Sequence, residues 1–82
     1  MKARRYVWQG SVIRLTAADY DRWRRAFAEI EDFDGELDRA DTWYAAHPHG
    51  KWFHAVAAWL RRANDAARKE NDEARKARYE FN

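Results

Sequence analysis

Apolar residues in the stretch KWFHAVAAWLRRAN, residues 51–64, recur at helical period. Trp52, Val56, Trp59, Leu60 and Ala63 fall at i, i+4, i+7, i+8 and i+11, one stripe along one face. This predicts a helix beginning near Lys51 that serves as the wall of the core, ending in a polar, basic collar of Arg61, Arg62 and Asn64. Upstream, Tyr20, Trp23, Phe27 and Ile30 repeat at i, i+3, i+7 and i+10 and predict a first helix. Thr16 is its expected N-cap, with Asp19 at the acidic position of a capping box. Phe33, Leu37, Ala40 and Tyr44 share one face of a second helix, roughly residues 35–46, with Trp43 beside them and Asp34 as the expected cap. His47-Pro48-His49-Gly50 separates the second and third helices, because proline forbids continuation and glycine permits a sharp reversal.

Residues 4–15, RRYVWQGSVIRL, carry a different pattern. Two runs of β-formers, Tyr6 to Trp8 and Val12 to Leu15, flank Gln9-Gly10-Ser11 and predict a short hairpin. A lone hairpin is marginal, so this one must pack on the helices. After Ala63 the apolar stripe fades. Residues 64–80 hold alanines among charges, with Asp65–Lys69, Lys69–Glu73 and Asp72–Lys76 at i, i+4. Such pairs support an exposed helix by about 0.2–0.5 kcal/mol each. Tyr79 and Phe81 are expected to fold back or to meet a partner. The predicted fold class is mainly α (α+β): an N-terminal β-hairpin packed on a three-helix domain with a long charged C-terminal helix. Residues 1–63 form the compact part and 64–82 a charged extension.

Composition narrows the classes. Eighty-two residues make one domain, and the absence of cysteine excludes disulfides and thiolate metal sites. Packing must therefore supply the stability, and the 16% aromatic content suits that need. No apolar run matches a signal peptide or a membrane span, so a cytoplasmic protein without a membrane partner is expected.

Charge is segregated. Residues 1–25 carry seven Lys/Arg against two acids, residues 26–50 one arginine against seven acids, and residues 51–82 eight Lys/Arg against five acids. Opposite patches on one small fold would follow, unless the segments neutralise one another. Arg4, Arg5, Arg14, Arg22, Arg24, Arg25, Arg61 and Arg62 are candidate phosphate contacts, with Tyr6 or Trp8 free to stack on single-stranded bases. The periodicity of Trp23, Trp52 and Trp59 assigns those three to the core instead. Glu31, Asp32, Asp34, Glu36 and Asp38 are the alternative interface, an acidic patch for a basic partner. The carboxylates from Glu29 to Asp41 read as a solvated face, with no two isolated for acid–base chemistry. His47, His49 and His54 lack the spacing of a metal site and read as loop and surface positions. No catalytic residue, cofactor, metal or small-molecule substrate is expected, and the chain is read as a binding protein rather than an enzyme.

VIRLTAADYDRWRRAF, the L-x-x-x-D-x-W motif from Leu37 to Trp43, and KWFHAVAAWLRRAN together resemble a segment near the C-terminus of phage and prophage replication proteins. More distantly they resemble the DNA-binding domain of DnaT-type primosomal proteins. The likeness spans about residues 11–64 and rests mostly on core-type positions, among them Val12, Ile13, Leu15, Trp23, Trp43 and Trp59. It implies a phage or mobile-element module that binds single-stranded DNA or a replisome partner. With its start at Met1, the chain is expected to stand alone without an upstream DNA-binding domain, which would depart from that pattern. A free-standing module of this size, with its segregated charge, also fits an anti-CRISPR inhibitor. Such a protein would attach to a CRISPR effector complex and block its access to target DNA.

Overall fold

A computed structural model describes residues 5–80, with side chains described from Arg5 to Lys76. Among the described residues the fold is mainly α, with a small N-terminal hairpin and three helices in the order β1 (Trp8–Gln9), β2 (Arg14–Leu15), α1 (Ala17–Ala26), α2 (Phe33–Ala46) and α3 (Trp52–Glu80). The strands pair antiparallel, Trp8 opposite Leu15 and Gln9 opposite Arg14. Side chains alternate across a strand. Leu15 is therefore buried while Arg14 faces out, and Trp8 follows its partner Leu15 inward. Arg4, Tyr79 and Phe81 lie outside the described side chains.

Specific contacts mark both ends of α1 and the start of α2. The Thr16 hydroxyl accepts from the Asp19 amide at 3.3 Å, as the capping box requires. The first helix stops earlier than its apolar period suggests. Phe27 leaves helical geometry (φ −115°, ψ 49°) while its N–H still bonds to the Trp23 carbonyl, and Ile30 is carried by the turn that follows. The second helix starts two residues before the expected boundary and is capped by Asp32, not Asp34. The Asp32 side chain accepts from the Gly35 amide at 3.0 Å. A Cβ at Gly35 would collide with that carboxylate, which is why glycine occupies the position.

Ile13, Leu15, Trp23, Phe27, Phe33, Leu37, Ala40, Val56 and Leu60 form the buried core. Every described element except β1 contributes to it, and Trp8 of β1 packs on its edge. Trp23 meets Phe53 at 4.7 Å between ring centroids, joining α1 to α3. Tyr44 meets Trp59 at 6.1 Å, joining α2 to α3. Complete burial of Val56 and of Leu60 contributes about 1.5–3 kcal/mol each. The stripe on α3 is thus the wall its period predicted, with Trp52 and Trp59 half-buried beside it. The helix runs through position 64 without a break. Asn64 accepts from the Glu29 amide at 2.9 Å, and the Asn71 side chain donates to Glu29 at 3.0 Å, so contact with the body extends along it.

The hairpin is held in place by one residue of α2. Asp41 is a buried carboxylate, 6% exposed. Its Oδ1 accepts from the amides of Val12 and Ile13, both at 2.8 Å, and its Oδ2 from that of Ser11 at 2.9 Å. Reading Asp41 as part of a solvated acidic face is therefore incorrect. Burial pushes its carboxyl up, but the three amides together outweigh burial and hold it below the ordinary aspartate value. Gly10 makes this possible, since a Cβ there would overlap the Asp41 carboxylate.

Replacing Asp41 with Ala orphans three amides at once. Urea denaturation is expected to show a loss of about 2–4 kcal/mol, and a loss below about 0.5 kcal/mol would refute the clamp. The carboxyl is depressed in the folded state, so its contribution is present above the unfolded value near 3.9 and lost as pH falls through the folded value. Acid titration of stability should accordingly steepen below about pH 4 in the wild type and be flatter in Asp41→Asn.

Candidate functional site

The structure distributes the predicted phosphate-binding arginines unevenly. Arg5, Arg14, Arg22, Arg24, Arg25, Arg61 and Arg62 are all exposed. Arg22 and Arg25 stand three residues apart on α1 and share its outer surface. Arg24 points elsewhere: its Nη1 donates to the Tyr20 hydroxyl at 3.2 Å, and that hydroxyl donates to Asp34. Arg61 and Arg62 are adjacent on α3, so their side chains diverge by about 100° around the helix. Among the described residues the only ion pair is Arg39 Nη2 to Glu36 Oε1 at 2.7 Å, within α2. The outward arginines therefore carry no described carboxylate partner.

Of the two proposed stacking residues, Tyr6 remains available at 37% exposure. Trp8 does not, because pairing with Leu15 turns it toward the core.

The alternative acidic patch is partly spoken for by the fold. Asp32 caps α2, and Asp34 receives the Tyr20 hydroxyl. Glu36 accepts from Arg39 and, at 2.7 Å, from the Trp59 indole N–H. The bond from Arg39 holds the Glu36 carboxyl below its ordinary value; the Trp59 bond acts in the same direction against partial burial. Glu31 and Asp38 are exposed and make no described side-chain bond. Glu29, Glu31, Asp32, Glu36 and Glu70 nonetheless line one groove of about 590 Å³ between the α1–α2 connection and α3, and Arg39 lines it with them.

The three histidines are drawn to separate aromatic partners. His47 stacks on Trp43, His49 meets the edge of Tyr44, and His54 meets Phe53. Among the described residues no three metal-ligating side chains gather. The residue that sequence reasoning left out of the candidate sites is Trp43, set beside the buried face of α2 and 48% exposed. The signal was present: Leu37, Ala40 and Tyr44 mark the buried face, and position 43 lies off it.

The fold and its surfaces define a small mainly α domain that carries a hairpin and outward-facing charge. Beyond that class, no family model, curated protein or solved structure matches the chain. Among the described residues no helix is long and apolar enough to cross a membrane.

The Tyr20 hydroxyl is raised above its ordinary value, chiefly by its hydrogen bond to Asp34, with burial adding to it and Arg24 opposing. Absorbance titration should therefore show a tyrosine ionising above about pH 10, and Asp34→Asn should bring it back toward the ordinary tyrosine value. Identical titration curves for the two proteins would remove the Arg24–Tyr20–Asp34 chain from solution.

Proposed function

We propose that this protein is a binding module without catalysis whose partner is nucleic acid, of the kind its likeness to phage replication proteins implies. One observation carries the reading. Arg5, Arg14, Arg22, Arg25, Arg61 and Arg62 are exposed and free of described carboxylates, in a chain with fourteen acidic residues. Arginines left unpaired on a surface keep their forked donors for phosphate oxygens. Arg24 is set apart from this group because Tyr20 engages it. Tyr6, beside Arg5 and exposed, is the stacking residue the hairpin offers.

A second reading is favoured by the acidic groove. Its carboxylates come from the α1–α2 connection, α2 and α3, and the fold gathers them on one surface. That surface suits a basic protein partner, including the DNA channel of a CRISPR effector complex that an inhibitor would block.

Fluorescence anisotropy of labelled single- and double-stranded oligonucleotides distinguishes the two. The first reading expects micromolar or tighter binding that weakens steeply with salt, with a slope of about −0.7 per phosphate contact on single strands. The pair Arg22→Glu and Arg25→Glu should flatten that slope by about one to two contacts and leave the melting temperature nearly unchanged, since both residues are exposed. No binding at low salt would overturn this reading and leave the acidic groove as the interface.

A further inference from the structure

We infer that the end of the molecule where α2 turns into α3 is a stacking platform for the bases of single-stranded nucleic acid, built on Trp43 and His47. The inference rests on the nucleic-acid reading above but uses a different surface. The imidazole of His47 lies 3.8 Å from the Trp43 ring, centroid to centroid, and only 14° from parallel. His47 Nδ1 sits 3.0 Å from the Trp43 carbonyl oxygen, and the His47 amide donates to the same carbonyl at 2.8 Å. Trp59 approaches Trp43 from α3, at 6.4 Å between ring centroids. The pair is therefore ordered before any ligand arrives, so an incoming ring meets rotamers already fixed.

Two further observations select the ligand. The stretch 42–64 contains no Asp or Glu and includes Lys51, Arg61 and Arg62 with all three histidines. Of the α2 carboxylates before this stretch, Asp41 is buried under three amides and Glu36 is paired with Arg39, which leaves Asp38 as the exposed one in the second half of the helix. A phosphate backbone thus meets little repulsion at this end of the fold. Secondly, Trp43 is the exposed large apolar side chain of α2 and α3 among the described residues, and with His47 it offers a pair of rings rather than an aliphatic groove. A partner helix needs such a groove; a nucleobase needs only the ring face. Bases of a duplex are stacked on each other, so the platform selects single strands.

The test is anisotropy of labelled oligothymidylate and of a duplex with the wild type, Trp43→Ala, Trp43→Phe, His47→Ala and the Arg22/Arg25 reversal, with circular dichroism melts to verify folding. Trp43→Ala is expected to weaken single-strand binding about tenfold or more while leaving duplex binding and the salt slope nearly unchanged. Trp43→Phe should retain most of the affinity, and His47→Ala, which removes an exposed ring, should lose part of it. Single-strand affinity of Trp43→Ala and His47→Ala within about twofold of wild type, together with a loss in the arginine reversal, would overturn the platform and leave the arginine surface standing. Failure of the wild type to bind any oligonucleotide would overturn both.

Discussion

One carboxylate ties the parts of this fold together. Asp41 projects from the core face of α2 into the tip of the hairpin and satisfies three consecutive amides, Ser11, Val12 and Ile13. Those amides belong to a loop whose last residue, Ile13, is completely buried. Without an acceptor they would be donors held away from water, a cost that two-residue strands cannot offset. The clamp seats Ile13 and Leu15 in the core, and Leu15 leads directly into the Thr16 cap of α1. The position of α1, and of the arginines on its outer surface, therefore depends on a side chain of another helix. Gly10 is the complementary constraint, because the carboxylate reaches its amides across the space a side chain would fill.

Charge in this molecule divides by structural use. Acidic side chains are put to work: Asp32 caps, Asp34 receives Tyr20, Glu36 holds Arg39 and Trp59, and Asp41 clamps the hairpin. Most arginines are not, and they remain at the surface without described partners. This asymmetry makes the basic groups available for an external anion, while much of the acidic segment serves the fold. The residual acidic groove against α3 arises because the α1–α2 connection and the helix extension lie side by side, bridged by Asn64, Asn71 and Glu29.

The candidate sites were legible to unequal degrees. Exposure of Arg14, Arg22 and Arg25 follows from their positions off the apolar stripes, and the sequence pattern places them correctly. For Trp8 and Trp43 the outcome turns on which side of its element each ring occupies. Trp8 sits in a strand where either face is open to it, and only the pairing with Leu15 turns it inward. Trp43 neighbours a core stripe, but one position around a helix is about 100°, enough to carry it to the surface. Arg24 shows a third case: its spacing matches that of its neighbours, yet a tyrosine one turn back captures it. Spacing along a chain states which side of an element a residue occupies; it says nothing of what stands opposite.

By itself the sequence determined the class of fold, the three helices, the hairpin and nearly all of the core, because each follows from local periodicity and from Gly, Pro and capping residues acting within a few positions. Tertiary structure alone decided which carboxylate is structural. Asp41 looks like its acidic neighbours until residues 28 to 30 positions away in the chain bring their amides to it. Tertiary structure also decided where α1 ends, which aspartate caps α2 and that Trp8 turns inward. In each case the outcome depends on a group from a distant segment or on competition between equally plausible neighbours, and no local pattern records either.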